Sequence, residues 1–534
     1  VRDVSPPKRP IGAFWQLEQG CDLLATLQPA FEAENRKFAS KQASRWVLFA
    51  VFVLVALAIQ STTLGNTNRH ADETFYFLVG QRMHEGLLPY VDMWDRKPFG
   101  LFAIYYLIAG ISTSVWAYQL VACAMAGLTA LVIAEIVAKW SSRSAGLYAG
   151  LSYLFVCVLF EGISGQTPDF YNPLIAGAAL LVSGELERLL RGEVRWQVFA
   201  AMALGGVAIT IKQTTLFESA FFGLTVLFCL YRSGAKALAI FKSGLVCAVI
   251  GAAPMLAIAA FYAVIGHWSE FWHAMVTSNF AKISEDGEVW RLIGNLLRAA
   301  ILLVFAALGV ALGKTEARYR AFLGCWLAAA VIGFLSVPNF YSHYTLPVLV
   351  PLSVGAGLFF ARIDRRLALI VALGLYSTVW FNLDQRVWTR QAADSMAEMA
   401  STIQRLDTGG GLLLYDAPPY LYALSGKAFL TPLVFPHHLN FLNEKDVSHL
   451  STHDEMVRIL ANRPGVIVMA KVPRNNPVNQ DTLDLVTAYV EANCPVREVV
   501  DLMEDRNSVP TVFYGRCREG KAGAPVPLTS NTAA

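Results

Sequence analysis

The run VWAYQLVACAMAGLTALVIAEIVA, residues 115 to 138, decides the fold class. It exceeds the ~20 predominantly apolar residues that a helix needs to cross a bilayer, and it ends against Lys139 with Arg143 just beyond. Ten further apolar runs surround it: 46 to 64, 145 to 162, 170 to 187, 197 to 211, 214 to 231, 243 to 264, 292 to 313, 321 to 336, 344 to 361 and 367 to 383. The expected architecture is a polytopic α-helical membrane protein with about eleven spans. Composition agrees, since 55% of the 534 residues are apolar and only 16% are charged, a balance outside the range of ordinary soluble domains. The net charge of +3 is scattered in small clusters rather than gathered in a patch, which argues against a nucleic-acid partner.

Those clusters orient the chain. They are Lys41 and Arg45; Lys139 and Arg143; Arg188, Arg191 and Arg195; Arg232, Lys236 and Lys242; Lys314, Arg318 and Arg320; and Arg362, Arg365 and Arg366. They occupy every second connection, while the alternate short connections, around 163 to 169, 212 to 213 and 337 to 343, hold only Lys212. The positive-inside rule then puts the N-terminus in the cytoplasm, and an odd number of spans puts the C-terminus outside. The first run starts near residue 46, too far in for a removable signal peptide, and is read as a retained span. Residues 1 to 45 form a cytoplasmic segment with Phe14, Trp15, Leu17, Leu23, Leu24, Leu27 and Phe31 in a pattern suited to an amphipathic helix, to partner binding or to loose order. Two outer connections are too long for turns, 65 to 114 and 265 to 290. The first contains Phe99 to Gly110, an apolar stretch too short to span and read as an interfacial or re-entrant helix.

After the transmembrane part, 46 to 384, the composition becomes soluble. Residues 385 to 518 alternate helix-like segments (390 to 406, 453 to 462, 481 to 493) with strand-like runs (Gly411 to Tyr415, Val466 to Ala470, Val499 to Met503, Thr511 to Tyr514), which predicts a small extracytoplasmic α/β domain. Cys494 and Cys517 are expected to pair there, contributing on the order of 3 kcal/mol on the loop-entropy model; two unpaired thiols are the alternative. Five other cysteines lie in apolar runs, and no metal-binding spacing occurs. Residues 519 to 534, small and polar, read as a disordered tail.

The residues that carry chemistry concentrate in the first long outer loop. Asp72 and Glu73 stand just beyond the first span, where a carboxylate can serve as general base toward an acceptor hydroxyl or act as a solvated loop acid or helix cap. About 25 residues later, Arg96 and Lys97 precede Pro98 and the short apolar helix; cations and free amides at a helix start suit a phosphate, and Lys97 can equally be a snorkelling residue. Lys212, in a tight outer connection, is a donor-phosphate contact or a snorkelling anchor. Gln166, Asp169 and Tyr171 have groups that read sugar hydroxyls, or they serve ordinary turn chemistry with Pro168. His267, Glu270 and His273 do not share one helical face, so no metal is assigned. Tyr105, Tyr106 and Trp116 read as packing or interface-belt aromatics.

The segment Ala71-Asp72-Glu73-Thr74-Phe75-Tyr76, followed by Gly80-Gln81-Arg82-Met83, Gly86, Pro89 and Lys97-Pro98, resembles the first outer loop of the GT-C glycosyltransferases. More narrowly, it resembles the ArnT-like and protein O-mannosyltransferase-like branch, glycosyltransferase families 39 and 83. Tyr341-Ser342-His343-Tyr344-Thr345-Leu346-Pro347 is similar to the His-Tyr-x-Leu-Pro signature of that branch, although Phe99 stands where some members carry a second Pro. The resemblance spans residues 46 to 385. It implies inverting transfer of a sugar from a polyprenyl-phosphate-linked donor, with no nucleotide sugar, at the outer face of a bacterial cytoplasmic membrane. Asp72 would then activate the acceptor, Glu73 would assist or orient, Lys97 would hold the donor phosphate, and His343 with Tyr344 would close over phosphate or sugar. No cofactor is required beyond the donor lipid; a divalent metal is possible but not indicated. The acceptor is an envelope glycolipid such as lipid A or the lipopolysaccharide core, a polysaccharide or a protein.

Two other classes compete. A transporter or flippase of lipid-linked sugars tends to place its charges at the bilayer midplane on broken, repeated helices, whereas here the acids gather in the first outer loop and no internal repeat is found. A sensor or assembly protein accounts for residues 384 to 534 and leaves the first-loop acids without a purpose.

Overall fold

The computed structural model describes residues 44–280, 287–381, 385–474, 477–504 and 507–517. The expected N-terminal amphipathic helix and C-terminal tail lie outside them. A compact unit starts at Phe52, within the first helix, α1 (Ser44–Gln60). The first long loop supplies α2 (Ala71–Met83) and α3 (Phe99–Ala109). Next come α4 (Val115–Trp140), α5 (Arg143–Cys157), α6 (Thr167–Leu189), α7 (Trp196–Ile211), α8 (Leu216–Arg232) and α9 (Ala237–Val264). Short helices α10 (Trp268–Trp272) and α11 (Ser278–Phe280) flank a π-helical turn, and α12 (Glu288–Leu312), α13 (Ala317–Leu335), α14 (Leu346–Phe360) and α15 (Arg366–Phe381) complete the apolar part.

Each apolar run of the sequence thus falls on a helix. Seven helices among the described residues are long and apolar enough to cross a membrane, four shorter apolar ones accompany them, and the chain is a multi-pass membrane protein. Their exposure differs with position. On α9 only 6% of the most apolar window is buried, whereas around α14 the figure is 78%, so α9 faces lipid and α14 is the central post. Close approach makes this possible: a Cβ at Gly309 of α12 would lie 2.0 Å from the Gly355 carbonyl oxygen of α14, so these helices meet backbone to backbone, as small residues permit. Helix α6 runs through the same interior despite Asp169, Asn172, Pro173 and Glu185, all buried.

Helix α2 is buried without interruption from Glu73 to Gly80. A Cβ at Gly80 would sit 2.5 Å from the Tyr105 carbonyl carbon, so α3 lies directly on α2. The short apolar stretch of the loop is therefore the shelf on which the acidic helix rests.

Beyond α16 (Arg386–Leu406) a four-stranded sheet forms in the order β1-β2-β4-β3, from β1 (Leu412–Asp416), β2 (Val466–Ala470), β3 (Val496–Glu504) and β4 (Asn507–Gly515). β1 and β2 are parallel, with Leu413 opposite Ile467; β2–β4 and β3–β4 are antiparallel. Both parallel strands are entirely buried, as continuous apolar strands require. Helices α17 (Leu421–Ser425), α18 (His437–Asn440), α19 (Thr452–Ala461) and α20 (Gln480–Asn493) surround the sheet. A disulfide joins Cys494 to Cys517. The core of this domain contains one residue from far away: Trp94 of the first long loop, fully buried among Leu413, Leu439, Met456 and Ile467, with its amide donating to the Pro432 carbonyl at 2.8 Å.

Candidate active site

His70 is extended, and the chain turns helical at Ala71, which puts Asp72 and Glu73 in the first turn, where the helix dipole favours carboxylates. Four residues is one turn, so Tyr76 stacks below Asp72 and its hydroxyl donates to Asp72 Oδ2 at 3.1 Å. One residue is about 100° of rotation, so Glu73 points the other way. It is fully buried and accepts from Ser164 Oγ at 2.6 Å. Burial pushes its pKa well above the usual carboxylate range despite that hydrogen bond. The acidic pair therefore divides: Asp72 faces the cavity, and Glu73, expected to assist it, is an interior group held against Ser164.

Lys97 reaches Asp72 from the other end of the loop. Its amide donates to Asp95 Oδ1 at 2.7 Å, and its carbonyl accepts from Tyr90 Oη at 2.9 Å; Tyr90 itself holds a left-handed backbone at φ 71°, the kind of strain that clusters at functional sites. So fixed, the Lys97 ammonium lies 3.7 Å from Asp72 Oδ2 and 5.1 Å from the Tyr76 ring centroid, within cation–π range. The Asp72 side chain is 35% exposed and that of Lys97 20%. Burial would raise the Asp72 pKa, but Lys97, His343 and His437 outweigh it and hold the carboxyl below its ordinary value. Burial would lower that of Lys97, but Asp72 and Asp95 outweigh it and raise the ammonium. Both groups are charged at neutral pH.

Arg96 turns away from this pair. It forms an ion pair with Glu444 of the C-terminal domain, and Glu444 also lies 3.5 Å from His438 Nδ1. Burial opposes ionisation there, yet His438 and Arg96 bring the Glu444 carboxyl down to about 2. Arg96, expected at the phosphate, lines the cavity with Asp72 and Lys97 and at the same time ties loop to domain through Glu444.

The late motif supplies the opposite wall. His343 Nδ1 is 3.3 Å from Glu161 Oε2, and Ser342 Oγ donates to the other Glu161 oxygen. Glu161 is itself left-handed at φ 61°. The Tyr344 ring meets His343 edge-on at 4.6 Å and carries the Lys212 ammonium 5.0 Å from its centroid. Asp72, Lys97, Lys212, His343, Tyr344 and Gln166 border one cavity of about 400 Å³. A narrower extension lined by Lys97, Lys212, His343 and Tyr344 runs on past Tyr171 and Pro168 to Phe334 of α13, towards the apolar helices. Asp169 lies elsewhere. Its oxygens accept from the amides of Ile163 at 3.0 Å, Ser164 at 3.2 Å and Gly165 at 3.0 Å, so it shapes the turn before α6 rather than reading a sugar.

Sequence reasoning missed Glu161, His70, His437 and His438, which border the same cavity. The His437-His438 doublet was visible as a pair, but nothing in the chain order tied it to Asp72. His267 bonds Glu270 at 3.2 Å, and His273 bonds the Val447 carbonyl at 3.1 Å. Among the described residues no three His, Cys, Asp or Glu side chains group as metal ligands.

The apolar helices and the separate sheet domain together have the GT-C fold of solved glycosyltransferase structures. Two solved structures of ArnT from Cupriavidus metallidurans share it. One, bound to undecaprenyl phosphate, aligns with TM-score 0.52 and 16% identity over 88% of this chain and 98% of its own. The other, in the apo state, aligns with TM-score 0.54 and 16% identity over 89% and 98%. An oligosaccharyltransferase from Archaeoglobus fulgidus, in complex with zinc and sulfate, aligns at 0.46 with 9% identity over 79% and 68%. No protein-family profile matches the chain, and neither does any curated protein.

Proposed function

We propose that this protein is an inverting glycosyltransferase that moves a sugar from a polyprenyl-phosphate-linked donor to an envelope acceptor, at the outer face of a bacterial cytoplasmic membrane, with the N-terminus in the cytoplasm and the sheet domain outside. The observation that carries the reading is the Asp72–Lys97 pair, 3.7 Å apart, at a cavity whose extension leads to the apolar helices. The GT-C fold supports it, as does the undecaprenyl phosphate bound by ArnT.

In the reaction, the acceptor hydroxyl loses its proton to Asp72 as its oxygen bonds the anomeric carbon. The bond from that carbon to the phosphate oxygen breaks, and the electron pair leaves with the polyprenyl phosphate. Lys97 and Lys212 stabilise the charge that gathers on the departing phosphate, and His343 and Tyr344 wall in the sugar. A phosphate that draws the Lys97 ammonium to itself also loosens its hold on Asp72, so donor binding prepares the base. No step calls on a metal or a nucleotide. The test is Asp72→Asn: purified protein should retain undecaprenyl phosphate binding and lose transfer, and near-normal turnover would sink the base assignment.

A further inference from the structure

A second cavity of about 320 Å³ adjoins the first, sharing His70, Ala71, Phe435 and His437 with it. Its remaining walls come from Asn68 and Arg69 ahead of α2, from Asp416 to Pro419, and from Pro436, Arg474 and Glu504. None of these lies on an apolar helix; all belong to the first loop or the sheet domain. Asp416 closes β1, and Arg474 follows β2, so the cavity opens at the carboxyl ends of the only parallel pair in this sheet, where α/β sheets characteristically seat ligands. Its volume suits a small molecule or one unit of a larger one.

We propose that this cavity seats the acceptor and that its occupant is a saccharide unit, a reading that rests on the transferase function above. The polar and flat apolar groups of the wall favour such a ligand. Arg474 is matched already, its Nε bonding Asp416 Oδ1 at 2.7 Å, its amide Asp416 Oδ2 at 3.0 Å and its Nη1 Glu504 Oε1 at 2.5 Å. Arg69 lines the same cavity, its Nη1 donating to Gln385 Oε1 at 2.7 Å, while carboxylate edges, Asn68 and the His437 ring present hydrogen-bonding groups for hydroxyls. Pro418, Pro419 and Phe435 add flat apolar surface for the C–H face of a sugar ring. An occupant reaching past His70 and His437 brings a hydroxyl to Asp72, whereas the donor arrives from the side of Lys212 and Phe334. The sheet domain is then part of the active site, and it selects the acceptor.

The experiment narrows the cavity from opposite walls with Asn68→Trp and Glu504→Trp. Envelope glycans of cells carrying each variant are compared by mass spectrometry with those of wild-type and deletion strains, and the purified variants are titrated with undecaprenyl phosphate. Transfer should fall by at least about tenfold, the equivalent of ~1.4 kcal/mol, with undecaprenyl phosphate affinity unchanged. Wild-type transfer in both variants would overturn the proposal, as would lost undecaprenyl phosphate binding, which would assign the cavity to the donor, or a product carried on protein rather than glycan. A wild-type protein that neither binds undecaprenyl phosphate nor alters the glycans would fail before any substitution, and that result would sink the transferase reading itself.

Discussion

Removing either member of the Asp72–Lys97 pair should move phosphate affinity in opposite directions. Lys97→Met removes the ammonium that faces the phosphate; a hydrogen bond to a charged group contributes about 1.5–3 kcal/mol, so undecaprenyl phosphate should bind about 10- to 150-fold more weakly. Asp72→Asn removes a carboxylate that competes for the same ammonium and repels the phosphate. At 3.7 Å the pair energy runs from about 1 kcal/mol at the dielectric of water to about 4 kcal/mol at an effective value of 20. With 35% of the Asp72 side chain in solvent, the lower end applies, and Asn should tighten binding by about fivefold. The assay is titration of purified protein in nanodiscs at two salt concentrations, since a partly exposed pair weakens with screening. A purely structural ion pair would make both variants bind worse. That shared sign, or a Lys97→Met affinity within about twofold of wild type, would refute the phosphate assignment.

Three further outcomes follow from the same geometry. Because the Lys97 ammonium does most to hold the Asp72 carboxyl down against burial, transfer should hold steady from neutral pH down to about 5 and fall only as Asp72 protonates below the ordinary carboxylate value of ~3.9; in Lys97→Met, burial acts with less opposition and the acid limb should move to higher pH, an unmoved limb counting against the coupling. Glu444 falls from 4.5 to about 2 in the folded protein, so its stabilisation is present above pH 4.5 and disappears as pH drops through about 2; acid melting of the sheet domain should lose part of its pH dependence in Glu444→Gln, and identical profiles would dismiss the Arg96–Glu444–His438 strut. Trp94→Ala should cost about 3–5 kcal/mol, read as an earlier thermal transition and faster proteolysis around residues 432 to 460, whereas a loss under about 1 kcal/mol would mean that the indole is replaceable packing.

What could be read in the chain was what periodicity and charge encode locally. The 115 to 138 run, its companions and the Val466 to Ala470 strand announce themselves because burial in lipid or in a parallel sheet demands uninterrupted apolar sequence. Asp72 and Lys97 were legible as a loop acid and a loop cation. The failures are rotational or tertiary. Glu73 is adjacent to Asp72, but one step of helix sends it against Ser164, and Asp169 looks like a surface turn acid until its three backbone amides are seen. Arg96 looks like the twin of Lys97, yet its partner Glu444 stands 348 residues away, a separation that no local pattern spans.

The same long-range contacts decide how the two halves of the molecule cooperate. Trp94 is three residues from Lys97 and sits in the core of the sheet domain, Arg96 binds that domain through Glu444, and Lys97 alone turns back to Asp72. One short segment therefore has its first residue locked in one body, its last paired with Asp72 and a charged strut between. A rotation of the sheet domain would therefore pull on the Lys97 backbone, which Asp95 and Tyr90 hold on both sides, and change its 3.7 Å separation from Asp72. On the proposed mechanism, an acceptor held by the sheet domain and a donor phosphate held by Lys97 would act on one mechanical element, and domain position would then help determine catalysis as well as acceptor choice.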